Sequence, residues 1–286
     1  MTCAGDAEPA SGSMLNRMIS PSELLALYDA QQRLIVPEHP PVGVHFELTD
    51  SVLRVTGRSE GMIETAQHLD VSGRELDALI AEHRDFFAAR NEPVEWKTRA
   101  HDVPADIPQR LESAGFIAQE REAVLVGHTA DLLSARPLPA EITIRETRDH
   151  NDIVGLAAML SEVWHSDFAW FVDELEAQIA SAPDLTVLFV AEADGRIVSG
   201  ARIEFTPCSD FAGLWGGSTA SEWRGKGIYG ALGAARAQRA QQRGVPYLQV
   251  DASDESSPIL DRRGFVELTT TTPYLWTPPS ADALRI

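Results

Sequence analysis

Along NDIVGLAAMLSEVW, residues 151–164, apolar side chains return at Ile153, Leu156, Leu160 and Val163. That spacing sets them on one face of an amphipathic helix. In ARIEF the pattern changes: Ala201, Ile203 and Phe205 alternate with Arg202 and Glu204, as in a strand with one buried side. The same reading gives an order of elements for the whole chain. SPSELLALYDAQQRL is a helix, with Ser20 and Glu23 as a capping box and Pro21 at its first position. VHFEL and VLRVT flank TDS as a hairpin. Ser72 and Glu75 read as a second capping box, opening a helix through FFAAR. The strand VEWKTR, a short helix ending in LESAGF and the strand REAVLVG follow.

After residues 127–142, the strand ITIRE precedes the helix at 151–164, and FVDELEAQIASA continues as helix. TVLFVAE and RIVSGARIEF are strands joined through Ala193-Asp194-Gly195, a tight-hairpin signal. FAGLWGGSTA is a strand whose glycines allow close approach to the backbone. A helix ending at Arg243, the strand PYLQVD, a short helix around SPILDRR and the strand GFVELTTTTPYLW complete the order.

The prolines of ARPLPAE mark an interdomain linker at 129–141. Residues 1–13 are small and polar and read as a disordered tail. The units are then 14–128 and 142–286, a division that suits a chain of 286 residues. Their ends echo each other. Arg90-Asn91-Glu92-Pro93 precedes VEWKTR as Arg243-Gly244-Val245-Pro246 precedes YLQVD, and Leu111 to Gly115-Phe116 matches Leu260 to Gly264-Phe265. Order and spacing together predict a duplication. The class is α/β (α+β), with a mixed, mostly antiparallel twisted sheet flanked by helices in each unit.

A net charge of −19 argues against nucleic acid as a general partner. It fits solubility, and also a cationic substrate such as an amine. Cys3 and Cys208 are far apart and make neither a zinc pattern nor a disulfide framework; no metal is expected. MTCAGDAEPASGS has no basic start and no apolar run, so no signal peptide is expected, and no stretch is long enough to span a membrane. The expected location is cytoplasmic.

WRGKGIYGAL, residues 223–232, holds the candidate chemistry. Gly225, Gly227 and Gly230 repeat the G-x-G-x-x-G spacing of a dinucleotide site, and Asp251 stands where a ribose partner is expected. Context rejects it: too little chain follows for further parallel units, and the preceding strands form a hairpin. A P-loop fails too, because Lys226 is followed by Gly227 rather than Ser or Thr. Charge favours a third ligand. Trp223 to Val250 carries five basic residues, Arg224, Lys226, Arg236, Arg239 and Arg243, and no acidic one. This island starts at a helix N-terminus, where free N–H groups and the dipole favour an anion. Glycines at 225 and 227 let a pyrophosphate approach the main chain. Arg236, Arg239 and Arg243 read as a solvated helix face.

Arg224-Gly225-Lys226-Gly227-Ile228-Tyr229 resembles the signature R/Q-x-x-G-x-G/A of the GCN5-related N-acetyltransferases (GNAT), except that Tyr229 stands where a small residue is usual. The order of elements over about 142–277 is similar to the family domain, and 14–128 resembles a degenerate copy without the loop, as in tandem members. The resemblance implies acetyl-CoA as co-substrate and an acetyl group moved to a primary amine of a small molecule or a protein. Its pyrophosphate would lie on Arg224, Gly225, Lys226, Gly227, Ile228 and Tyr229, its pantetheine beside Ser218 and Thr219, and Ser253 is a further binding candidate. Glu204 is the first choice of base, with Asp251 and His165 next; a surface pair of Glu204 with Arg202 is the alternative. The family's usual tyrosine acid falls at Leu260 and its asparagine at Ser253, leaving Tyr229 and Tyr274 as substitutes for the acid. His165 and Trp215 are candidates for contact with the acceptor. Partners are then the amine and, as an option, a second copy of the chain in a homodimer. The other reading is a non-catalytic acyl-CoA-binding or interaction protein.

Overall fold

The computed structural model describes residues 19–279; the tail at 1–13 lies outside them. The first part of the chain gives α1 (Pro21–Gln32), β1 (His45–Thr49), β2 (Val52–Thr56), β3 (Gly61–Thr65), α2 (Arg74–Arg90), β4 (Val94–Arg99), α3 (Ile107–Ser113), β5 (Ile117–Ala118) and β6 (Glu122–His128). The second gives β7 (Ile142–Thr147), α4 (His150–Trp164), α5 (Ala169–Ser181), β8 (Thr186–Ala193), β9 (Arg196–Phe205), β10 (Phe211–Thr219), α6 (Ile228–Gln242), β11 (Tyr247–Ala252), α7 (Ser257–Asp261) and β12 (Val266–Trp276).

Local chemistry explains most of these boundaries. Ser20 and Glu23 close the capping box of α1 on each other. Asp194 and Gly195, both at positive φ, turn β8 into β9. The second predicted capping box does not form. Gly73, at φ 55, is the N-cap of α2 and no side chain caps it; the backbone takes that place because only Gly adopts this turn without strain. Cys208 also departs from expectation, being disulfide-bonded.

Among the described residues, all twelve strands belong to one sheet, whose main path runs β1-β2-β3-β4-β12-β6-β11-β10-β9-β8-β7, with β5 on β12. It is mostly antiparallel. Only β3 with β4 and β10 with β11 are parallel, and each pair is connected through a helix, α2 or α6, as parallel neighbours require. The last strand of each part sits in the other part's territory. β12 pairs with β4, Tyr274 facing Trp96, and β6 pairs with β11, Val124 facing Asp251. β12 and β6 meet in the middle.

The cores follow this exchange. Tyr274 of β12 is buried among Trp96, Phe87, Ile80 and Leu111. Leu125 of β6 is buried among Ile203, Leu214, Leu232, Leu248 and Phe265 under α6. Alternation then sends Val124 and Val126 to the opposite face, against Leu24 and Tyr28 of α1. On that face α4 and α5 cover β8 through Leu156, Leu160 and Leu188.

Candidate active site

Ser221–Trp223 make a short 3-10 turn before the loop, and α6 begins at Ile228. Gly225 and Gly227 sit at φ 76 and 92, where a side chain would be strained. Ile228 is 1% exposed and anchors the start of α6 in the core, while Arg224, Gly225 and Lys226 lie at the surface. The loop is therefore held from beneath and open above. Ala231 is the first residue of α6 to donate backward, to the Gly227 carbonyl at 3.0 Å. Among the described residues, the N–H groups of 225–230 have no backbone carbonyl partner outside the helix. These are the unmet donors of a helix start. Lys226 Nζ lies 3.9 Å from the centre of the Trp223 ring, and Arg224 Nε donates to the Thr219 carbonyl at 3.2 Å. Two cations thus flank a set of open N–H donors.

The loop opens onto a split in the sheet. β10 and β11 pair only over Phe211–Gly213 and Tyr247–Gln249. Beyond that, β11 stays with β6 and β10 with β9, so the parallel pair splays. β10 also bulges between Trp215 and Ser218, with Gly216 at φ 63; a bulge re-aims the backbone at such a place. Ser199, fully buried, donates to the Ser218 carbonyl at 2.6 Å and shares a bond with Thr219 Oγ1 at 2.8 Å. Trp164 Nε1 donates to Ser218 Oγ at 3.3 Å. Ser218 and Thr219 therefore lie together on the edge of the split, next to the loop.

Glu204 and Trp215 share the face that carries α1, α4 and α5. Arg202 pairs with Trp215 across the ladder, and Glu204 with Gly213. Arg202 Nε bonds Glu204 Oε1 at 2.6 Å, the pairing held open as the alternative for Glu204. Both residues line a cleft of about 440 Å³ whose other walls are Trp170, Phe171, Asp173 and Glu174 near α5 and Gly57, Arg58 and Ser59 after β2. The Ser59 hydroxyl reaches Glu174 Oε2 at 3.3 Å. Both parts of the chain form this cleft.

Asp251 is on the same face but enclosed. Its side chain is 3% exposed, with Lys97 Nζ at 2.5 Å and Gln249 Nε2 donating at 2.6 Å. Burial works against charge on Lys97, and the charge and hydrogen bond of Asp251 together with the Glu64 carboxylate outweigh it, holding the ammonium well above its ordinary range. Lys97 Nζ also lies 5.8 Å from the Trp215 ring. Lys97→Met is expected to cost about 3–5 kcal/mol in urea unfolding at neutral pH, because it leaves a buried carboxylate unpaired. The double variant with Asp251→Asn should recover most of that loss.

The remaining candidates are scattered. His165 ends α4 at φ 52, exposed, as helix-end residues often do, and it does not line the cleft. Ser253 is exposed before α7, its carbonyl accepting from the Ser256 and Ser257 N–H groups at 3.0 and 2.9 Å. Leu260 is 3% exposed in the core under α6. Tyr229 is half-buried beside the bulge: a Cβ on Gly217 would lie 3.2 Å from its ring. Burial raises its phenol, and Arg236 opposes that rise. Arg236 itself, expected on a solvated face, is 3% exposed. Helical spacing gathered the three arginines of α6 on one side, but only the packing against β9 and β10 divides them. Arg239 reaches Glu146 at 3.7 Å, and Arg243 stands 4.2 Å from the Phe205 ring centre.

Among the described residues no cluster of His, Cys, Asp and Glu is arranged to hold a metal, and no helix is long and apolar enough to cross a membrane.

A splayed parallel pair beside an open helix start, reached through a glycine turn, is a frame for binding an extended phosphate-bearing ligand. The model of the acetyltransferase (GNAT) family matches residues 148–265. The chain is similar in fold to a GCN5-related N-acetyltransferase from Kribbella flavida, with a TM-score of 0.64, 16% identity and coverage of 93% of this chain and 98% of that one. A GCN5-related N-acetyltransferase from Sphaerobacter thermophilus gives a TM-score of 0.58 and 17% identity, over 82% of each chain. A tandem GNAT protein from the clavulanic acid biosynthesis pathway gives 0.59 and 11%, over 85% of this chain and 86% of that one. No curated protein matches the sequence at a significant level. The match to this family model supports acetyl transfer as the general activity, with acetyl-CoA as that family's donor.

Proposed function

We propose that this chain is an acetyl-CoA-dependent N-acetyltransferase acting on a primary amine. The observation that carries the reading is the cationic turn at 224–227, with positive φ at both glycines, placed where β10 and β11 separate. The pyrophosphate rests on the N–H groups that follow Arg224, with Lys226 and Arg224 balancing its charge. The pantetheine runs along the freed edge of β10 beside Ser218 and Thr219, and Ser253 faces it from the far side of the split. The thioester then meets the amine near the bulge, where a backbone N–H polarises its carbonyl.

Acceptor and donor approach from different sides. The amine enters the cleft between α5 and the Gly57–Ser59 turn, near Trp215. Its nitrogen attacks the acetyl carbon, the C–S bond breaks, and the proton lost by nitrogen passes to Glu204. Tyr229 gives a proton to the departing thiolate. Glu204 lines the cleft whereas Asp251 is locked to Lys97, which favours Glu204 as the base. The N-terminal part, read as a degenerate copy of the same fold at 14–128, supplies a wall of the acceptor site in place of a second loop.

Calorimetry with acetyl-CoA tests the binding reading; no heat at up to millimolar ligand removes it. Turnover is tested by thiol release with benzylamine, spermidine and lysine methyl ester as probe amines. Glu204→Gln is expected to lower kcat about 10²–10⁴-fold, the range of general-base catalysis, and to leave acetyl-CoA affinity unchanged. A non-catalytic acyl-CoA-binding protein is the second reading, motivated by buried Leu260 at the family's tyrosine position. It predicts binding without thiol release from any probe.

A further inference from the structure

Arg236 carries a charge that the core does not explain. It is 3% exposed, and among the described residues no carboxylate lies within ion-pair distance of it. Its contacts are carbonyls: Nε donates to Leu232 at 3.2 Å, one turn back in α6, and NH1 donates to Arg202 at 3.4 Å, across on β9. Burial lowers the guanidinium to about 10, so it remains charged at neutral pH. A buried charge without a counter-ion is costly, and an apolar residue of like volume is usually the more stable choice. Something other than packing accounts for it.

The end of the side chain indicates what. A Cβ on Gly217 would meet the Tyr229 ring at 3.2 Å and Arg236 NH2 at 4.0 Å. Gly217 lies within the β10 bulge, between Trp215 and Ser218. The phenol-bearing ring and the guanidinium thus converge on the same glycine, on the strand that borders the split. One sits at the first turn of α6 and the other two turns further on, so a single helix brings both to the bulge.

We propose that Arg236 is a positioning residue for acetyl transfer, fixing Tyr229 behind the bulge and favouring the phenolate that forms when its proton is given up. The inference rests on the acetyltransferase reading and adds a residue to it. In the step, the amine nitrogen bonds to the acetyl carbon and the C–S electron pair leaves on sulfur. Sulfur takes the Tyr229 proton, giving free CoA thiol and a phenolate. The fixed positive charge of Arg236 stabilises that phenolate until solvent returns a proton, while the amine's proton leaves through Glu204. Without Arg236 the buried phenol is a poorer acid, because only desolvation then acts on it.

The test compares Arg236→Met, Arg236→Lys, Tyr229→Phe and the double variant Arg236→Met with Tyr229→Phe. Tyrosinate absorption is titrated in each, and the Tyr229 ionisation is taken as the difference from its Phe counterpart. Arg236→Met should move that ionisation to higher pH, and the total tyrosinate titration of Arg236→Lys should stay closer to the parent's. With acetyl-CoA and benzylamine, spermidine or lysine methyl ester, Arg236→Met should lower kcat about tenfold or more, with KM for acetyl-CoA little changed. The double variant should be no slower than Tyr229→Phe alone. The melting temperature of Arg236→Met should match or exceed the parent's, since it removes a buried unpaired charge. An unmoved tyrosine titration, or losses that multiply in the double variant, overturns the proposal. Absence of turnover in the parent overturns the acetyltransferase reading instead, and the titration still decides whether Arg236 governs Tyr229.

Discussion

Gly227→Asp is expected to lose acetyl-CoA binding by about 10²-fold without unfolding the protein. Gly227 holds φ at 92, which costs a residue with a side chain about 1–2 kcal/mol. Space is not the obstacle. A Cβ there would meet Arg136 and Leu138 at 3.9 Å, an ordinary contact. Charge is the larger effect. A carboxylate about 4 Å from a pyrophosphate is opposed by about 4 kcal/mol at the effective dielectric of a protein surface, and Arg136 offsets part of this. The remainder amounts to about 3 kcal/mol, which is about 10²-fold; the backbone cost falls on the free and the bound protein alike and shows in stability rather than affinity. Gly225→Asp is the companion, because nothing lies within 4 Å of its Cβ. Calorimetry reads the affinity and a thermal melt shows that the fold persists. Gly227→Ala should retain most binding, separating charge from strain. Full affinity in both Asp variants would place the pyrophosphate elsewhere.

Ending the chain after Phe265, and so removing β12, is expected to abolish the fold of both parts. Two independent domains would leave the first intact. Here β12 lies between β4 and β6 and puts Tyr274 against Trp96. Removing Tyr274 alone should cost about 3–5 kcal/mol, as for other buried aromatic residues. Losing the whole strand also frees the ladder edges of two neighbours, and the sum exceeds the roughly 5–15 kcal/mol that holds a typical domain together. Circular dichroism and limited proteolysis should find no protected fragment in the truncated chain, and calorimetry should find one transition in the full one. A stable fragment of about residues 19–128 would overturn this.

Much of the site is legible because its signals are local. Positive φ at Gly225 and Gly227, the donors at the start of α6 and the flanking cations all depend on residues within a few positions of one another. The Asp-Gly turn and the Ser20–Glu23 cap are legible for the same reason. What the sequence conceals is partnership. GMIET carries only Met62 and Ile63 as large apolar residues, yet it is β3, held between β2 and β4. No periodicity marks it. Arg236, Arg239 and Arg243 look alike in a helical projection, and only the depth of the neighbouring strands separates the buried one from the others. Alternation in β6 and β12 identifies them as strands but does not say which neighbours they take. Lys97 has no feature that points to Asp251, 154 positions away.

The exchanged strands also govern the order in which the molecule is made. Residues 266–276 leave the ribosome after the other described strands. Until then β4 lacks the neighbour that separates it from β6, and Trp96 lacks Tyr274. The first part of the chain cannot complete itself during synthesis, however early its helices form. It waits, with β4 and β6 exposing unpaired edges, for a strand encoded after β7, β8, β9, β10 and β11. Such exposed edges are what chaperones protect. Completion of the first part and of the second is then one event, and a nascent chain stalled before Val266 holds neither.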